Sequence, residues 1–249
     1  MPKGKIQYMN RGDQPMNEQA SAFGTLINIF LEPKKALNDI RGHNGWLWYP
    51  LLLVMVLGAL FQIWYANRVD VSWFADQTLA PKAAEMTADQ LRDAHARFTP
   101  GSMMFFGIIG TVGFIVWYMI QALYFMLVAK TGGYKEQGFG TWLSFISWTS
   151  LPGILGLVAS GVYMLTTSSR QLSPVDIDIV SLNTLLFHVP YAHTGQFIAS
   201  SLRLTTIWSW VLMVIGVSAW TGKSMGKAAV VVLAPYAVMY AAFILIATL

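Results

Sequence analysis

The amino-acid sequence predicts an all-α membrane protein: a bundle of five transmembrane helices preceded by an N-terminal amphipathic helix at the membrane interface. Of its 249 residues, 55% are hydrophobic and 11% are charged, whereas soluble domains carry about 25% charged residues. The apolar residues are concentrated in five long runs, none of which contains Asp, Glu, Lys or Arg. This composition argues against a water-soluble enzyme.

The segment before the first run changes character twice. Residues 1–20 are polar and contain no apolar core with a cleavage site, so we expect a mobile cytoplasmic tail followed by a single membrane domain, residues 21–249. Apolar residues then recur at helical spacing, and the pattern resumes after Pro33: Phe23, Leu26, Ile27, Phe30, Ala36, Leu37 and Ile40. Pro33 fits the first turn of a helix, because its missing N–H would be unpaired there anyway.

Lys34, Lys35 and Arg41 interleave with this apolar stripe, and the pattern has two interpretations. A helix pair could lie on the cytoplasmic leaflet, or offer a docking surface to a partner. Alternatively, the segment could pack under the bundle as a plug. The sequence does not decide between them.

The five runs are each long enough to cross a hydrocarbon core of about 30 Å, which requires roughly 20 helical residues. Continuous apolar runs without a period of two indicate helices, since backbone groups in lipid need partners within their own segment. The predicted spans are Leu47–Tyr65, Met103–Ala129, Trp142–Leu165, Leu204–Trp220 and Ala228–Leu249.

The distribution of Lys and Arg predicts the orientation, because basic residues near span ends stay on the cytoplasmic side. The tail and the second and fourth loops hold ten of them, whereas the first and third loops hold six. We therefore expect a cytoplasmic amino terminus and a carboxyl terminus outside. The net charge of +4 is explained by this topology and by attraction to anionic lipid headgroups, and no nucleic-acid partner is expected.

Both long outer connectors carry helical signals. Thr87 and Gln90 form a capping-box pattern, which predicts the start of a helix in the first loop. Pro100 with Gly101 is expected to end that helix. In the third loop, the apolar pieces Ile177–Phe187 and Gln196–Leu202 predict short helices on the outer surface.

Inside the spans, small residues and prolines predict close packing and kinks. Kinks are expected at Pro152 and Pro235, and the glycines Gly107, Gly110 and Gly113 share one face of the second span. Polar residues deep in the spans are expected to form interhelical hydrogen bonds: Gln62, Gln121, Ser144, Ser147, Thr149 and Ser150. Broken helices also occur at the substrate sites of transporters, but the spans lack the ionisable groups that pumps and ion-coupled carriers use.

No catalytic motif occurs, and no cofactor is predicted. His188 and His193 in the third loop are weak candidates for a metal site. Zinc needs three or four ligands in a fixed geometry, and four residues that include Pro190 separate the two histidines. Ordinary interfacial histidines are the favoured interpretation.

Taken in order, several short motifs resemble the bacterial branch of the Yip-one integral membrane family, named for proteins that interact with Ypt/Rab GTPases. The resemblance rests on Phe30-Leu31-Glu32-Pro33, Trp48-Tyr49-Pro50-Leu51, Gly132-Gly133 before Phe139, Leu151-Pro152, Ile207-Trp208 before Gly216, and Gly222-Lys223-Ser224 with Pro235. It implies a multi-pass protein with five spans and a cytoplasmic amino end, in the bacterial inner membrane and without known catalysis. The acidic Asp-Leu-Tyr-Gly-Pro signature of the Rab-binding members is not found in this sequence.

These observations predict a non-catalytic protein that organises or binds membrane components. The expected partner is a membrane lipid, with another membrane protein or a second copy of the chain as further options. Phe30, Pro33, Lys34 and Lys35 are the expected interaction surface, and Gly132, Gly133 and Pro152 the expected hinge. The alternative is a carrier or channel for an uncharged or lipid-like substrate, gated at the kinks.

Overall fold

In a computed structural model, the chain folds into a bundle of α-helices. The structure describes residues 21–132, 137–193 and 195–248, apart from the side chains of Asn44 and residues 246–248. The predicted tail, residues 1–20, lies outside the described residues. Within the described chain, five helical segments are long and apolar enough to cross a membrane: Gly45–Arg68, Pro100–Thr131, Phe139–Thr166, Leu204–Thr221 and Met225–Leu245. The five-span prediction is therefore confirmed.

Twelve α-helices are found among the described residues. The helices that build the spans are α3 (Trp48–Arg68), α6 (Pro100–Thr131), α7 (Phe139–Thr149) with α8 (Pro152–Thr166), α11 (Leu204–Thr221) and α12 (Met225–Thr248). The others are α1 (Ala22–Leu31), α2 (Pro33–Arg41), α4 (Val71–Leu79), α5 (Ala88–Ala96), α9 (Pro174–Ile177) and α10 (Gln196–Ser201). Short 3-10 or π turns cover Asn44–Leu47, Ala80–Glu85 and Asn183–Phe187.

The bundle has two ends, which we name by what they carry. The α1–α2 face holds α1, α2 and the turn between α11 and α12, whereas the connector face holds the segments 69–99 and 167–203. Of the two third-loop helices expected from the sequence, Gln196–Leu202 is present as α10 on the connector face. The expected helix Ile177–Phe187 was wrong as a continuous helix: α9 ends at Ile177, Ser181 forms an antiparallel bridge with Arg203, and the turn Asn183–Phe187 is the helical part that remains.

Helix starts follow the local signals in the sequence. Pro33 occupies the first turn of α2, as predicted. The capping box is present, with Gln90 N donating to Thr87 Oγ1 at 3.2 Å and Thr87 N donating to Gln90 Oε1 at 2.9 Å. The expected role of Pro100 was wrong: α5 already ends at Ala96, and Pro100 begins α6 behind its own cap, Thr99. A proline fits a helix start as well as a position beyond a helix end.

The core centres on α7, whose aromatic side chains pack between α6 and α11. Trp142 stacks on Phe125 of α6 with 5.6 Å between ring centroids, and Phe145 lies 4.9 Å from the Trp220 ring of α11. Gly216 of α11 permits this approach, because a Cβ there would overlap the Phe145 ring. The centre of the bundle near α7 is therefore filled by rings.

The connector face has a smaller core that ties the loops to the ends of the spans. Tyr65 of α3 donates its hydroxyl to the Leu172 carbonyl at 2.8 Å, and Arg68 donates to the Thr167 carbonyl at 2.8 Å. Arg203 forms an ion pair with Asp178. These bonds hold the long third loop against α3 and α11.

Candidate interaction surface on the α1–α2 face

Helix α2 is packed into the bundle along its apolar side. Ala36, Leu37 and Ile40 have no exposed surface. Leu37 packs against Gly216 of α11, where a Cβ would lie 3.1 Å from Leu37 Cδ1. Trp220 of α11 donates its indole N–H to the Leu37 carbonyl at 3.1 Å. These contacts favour the plug interpretation for α2.

Helix α1 presents the opposite pattern. Ile29 and Thr25 are buried, but Phe23, Ile27 and Leu31 are respectively 74%, 49% and 74% exposed. These three side chains are four residues apart and so share one helix face. An exposed apolar stripe of this kind is what an interfacial helix turns towards lipid.

Three of the four predicted interaction residues come together at one cavity. Pro33, Lys34 and Lys35 line a cavity of about 600 Å³ between α2 and α11, and both lysines are exposed. Phe30 instead packs half-buried against the main core. Lys35 Nζ lies 3.6 Å from Glu32 Oε2, a solvent-exposed pair of the kind that contributes little to stability.

Sequence reasoning missed four further residues of this cavity: Glu32, Asn38, Asp39 and Ile215. Asn38 and Asp39 stand four residues after Lys34 and Lys35, so helical spacing would have placed them on the same face. Ile215 belongs to α11, and no signal in the sequence links it to α2.

Two of the predicted hinge residues, Gly132 and Pro152, lie at helix ends. Gly132 follows α6 and donates its N–H to the Val128 carbonyl at 3.0 Å, whereas Gly133 lies outside the described residues. Pro152 is buried and begins α8 after a break at Ser150 and Leu151. The kink expected at Pro152 is thus a boundary between two helices within one span; its use as a hinge stays a prediction.

Pro235 lies inside α12, and the second span supplies a hydrogen bond to the carbonyl that this proline leaves without a helical donor. A proline has no N–H, so the carbonyl four residues before it loses its helical donor. That carbonyl belongs to Val231, and Tyr124 of α6 donates its hydroxyl to it at 2.8 Å. The bundle thereby satisfies the group that the proline leaves unpaired.

The glycine stripe of α6 is only partly used for packing. Gly107 lies against Gln62 of α3, where a Cβ would come within 2.6 Å of Oε1. At Gly110 and Gly113, a Cβ would meet no atom of the described chain within 4 Å. The expectation that all three glycines let two helices approach was therefore wrong within this bundle for Gly110 and Gly113.

The polar residues of the spans find different partners, and the interhelical bond expected of Ser144 was wrong, because its buried hydroxyl has no hydrogen-bond partner among the described residues. Gln121 bonds to the hydroxyl of Tyr236 in α12, which is the interhelical bond expected. Ser147, Thr149 and Ser150 donate to carbonyls of their own helix. A Ser or Thr hydroxyl inside a span can donate to a carbonyl of the preceding turn of its own helix as readily as to a neighbouring helix.

The two histidines of the third loop do not assemble a metal site with other residues. His188 has a left-handed backbone, φ 54°, and its Nδ1 lies 3.1 Å from the Leu186 carbonyl oxygen. No group of three or more His, Asp or Glu side chains that could hold a metal ion is found in the part of the chain that the structure describes.

The fold and this surface define the class: a helical, multi-pass membrane protein with five spans and an amphipathic helix pair at one end. The model of the Yip1 domain matches residues 27–246 of the chain, so the chain belongs to the Yip1 domain family. No curated protein and no solved structure matches it.

Proposed function

We propose that this Yip1 domain protein is a non-catalytic component of the bacterial inner membrane that binds a membrane component at its α1–α2 face. The observation that carries the proposal is the cavity of about 600 Å³ at that face, lined by Pro33, Lys34 and Lys35. The cavity is an open groove at the surface, and its lining combines charged side chains with Ile215 of a spanning helix. A lipid is the favoured ligand, since the cavity opens where a charged helix meets a spanning one.

The proposed orientation places the α1–α2 face in the cytoplasm and the connector face outside. Its support is the excess of Lys and Arg on the α1–α2 side, ten against six, together with the tendency of such residues to remain cytoplasmic.

Native mass spectrometry tests the proposal on protein extracted gently from its own membrane. We expect a retained lipid or second polypeptide that Lys34→Glu with Lys35→Glu removes. The matched control is Lys130→Glu with Lys227→Glu, which alters two exposed lysines of the same face outside the cavity lining. Equal retention by both double variants contradicts a site at α2.

The same spectrum reports the number of subunits. A homodimer that survives Lys34→Glu with Lys35→Glu would place the self-contact elsewhere, and Gly110→Leu would then test the exposed face of α6. A second polypeptide lost in the α2 variant would make the bound component a protein.

The alternative function, a carrier for an uncharged or lipid-like substrate, needs a path between the second and third spans. The space there is occupied by the rings of Phe125, Trp142 and Phe145, and the cavity beside them has a volume of about 10 Å³. This packing favours the binding role. Cysteine scanning along that side of α6 tests the alternative, and water-accessible thiols there would support a carrier.

A further inference from the structure

The cavity between α2 and α11 has a balanced set of charges. Its lining contains the cations Lys34 and Lys35 and the carboxylates Glu32 and Asp39. Lys35 and Glu32 form the ion pair at 3.6 Å. Among the described residues, Lys34 and Asp39 have no ion-pair partner, so the cavity offers one uncommitted charge of each sign.

One aliphatic side chain of a spanning helix, Ile215 of α11, also lines the cavity. Ile215 stands six residues before Thr221, the last residue of α11. At 1.5 Å per residue, it lies about 9 Å along the helix from that end. The cavity therefore combines charged side chains at α2 with an aliphatic side chain that stands about two turns inside a spanning helix.

From this arrangement we infer that the cavity binds a glycerophospholipid whose headgroup carries both a phosphate and an amine. This inference rests on the proposed binding function of the α1–α2 face and names its ligand. The phosphate lies against Lys34, with Lys35 beside it, the ammonium lies against Asp39, with Glu32 beside it, and one acyl chain follows Ile215.

Other ligand classes match the lining less completely. A headgroup with a phosphate and no amine leaves the carboxylates facing a like charge, which is unfavourable. A water-soluble zwitterion uses the charges but gains nothing from Ile215, because it has no apolar part to bury.

The test is a lipid titration of the delipidated, full-length protein, followed by native mass spectrometry. The two probes are phosphatidylethanolamine and phosphatidylglycerol with identical acyl chains. The wild type is expected to bind phosphatidylethanolamine more tightly. Glu32→Gln with Asp39→Asn is expected to reduce the ratio of the two lipid affinities about fivefold or more, because one charged contact near a membrane surface changes an affinity by about this factor.

Further variants separate this inference from the proposed function. Lys34→Gln with Lys35→Gln should weaken both lipids, whereas Lys130→Gln with Lys227→Gln should leave both unchanged. If the carboxylate variant keeps the wild-type preference, or if the wild type prefers phosphatidylglycerol, the zwitterionic ligand is wrong while the α2 site stands. If the Lys34 and Lys35 variant binds both lipids like the wild type, the site and the proposed function both fail.

Discussion

Helices α1 and α2 are neighbours in sequence and carry the same kind of apolar stripe, yet the fold uses them in opposite ways. The stripe of α2 is fully buried against α7 and α11, whereas that of α1 is half to three-quarters exposed. The difference arises from what each helix meets. Leu37 of α2 finds a space at Gly216 and a hydrogen bond from Trp220, but Phe23 and Leu31 of α1 are covered by no other part of the described chain to a comparable extent.

The burial of the two helices favours a different interpretation of the N-terminal segment for each of them. Helix α2 matches the plug interpretation: its apolar side is buried, and its charged residues Lys34, Lys35 and Asp39 line the cavity. Helix α1 has the character of an interfacial helix, with its apolar side available to lipid.

The largest effect is expected from truncating the buried stripe. Leu37→Ala removes a fully buried side chain and should lower the free energy of unfolding by about 2–5 kcal/mol. Leu31→Ala on the exposed stripe is the matched control and should change it by about 0.5 kcal/mol or less. Denaturant unfolding in detergent micelles measures both. Equal losses in the two variants would contradict the division between α1 and α2.

A second variant tests the space that admits α2. Gly216→Val places new atoms against Phe145 and Leu37 and should destabilise the protein by about 1–3 kcal/mol, since added atoms in a packed core force neighbours to shift. Gly110→Val, at an open position of α6, serves as the control in the same micelles. A neutral Gly216→Val would mean that α2 is not held tightly against α11.

A smaller loss of stability is expected when a single interhelical hydrogen bond is removed. Tyr124→Phe removes the hydroxyl that serves the Val231 carbonyl and should cost about 0.6 kcal/mol, with an upper range near 1.7. Pro235→Ala returns an N–H to that carbonyl, so the cost of Tyr124→Phe should vanish in the Pro235→Ala background. The free energies of unfolding of the two single variants and the double variant form a double-mutant cycle. Additive changes would contradict a role of the Tyr124 hydroxyl at the Val231 carbonyl.

Much of the architecture could be predicted because it depends on composition and local signals. Five charge-free runs predict the spans, and Pro33 with the Thr87–Gln90 pair predicts two helix starts. The remainder depends on tertiary partners. Leu31 and Leu37 are the same residue type in similar helical patterns. Leu37 is buried because α2 packs against α7 and α11, whereas Leu31 is exposed.

The same limit applies to the candidate site. Pro33, Lys34 and Lys35 were predicted from their pattern and line the cavity, and helical spacing would have placed Asn38 and Asp39 beside them. Ile215 stands more than 170 residues away in sequence, and its approach to α2 is a product of the fold.

The most direct test of the division between α1 and α2 is the membrane depth of the α1 stripe. The sequence contains no cysteine, so Ile27→Cys places a single nitroxide on α1, and Asp93→Cys on the exposed side of α5 gives a water-facing reference. In bilayer vesicles, collisions with oxygen and with a water-soluble nickel chelate are measured at both positions. We predict an oxygen-rich, chelate-poor environment at residue 27. A chelate collision rate at residue 27 equal to that at residue 93 would show that α1 stands in water and would contradict its interfacial role.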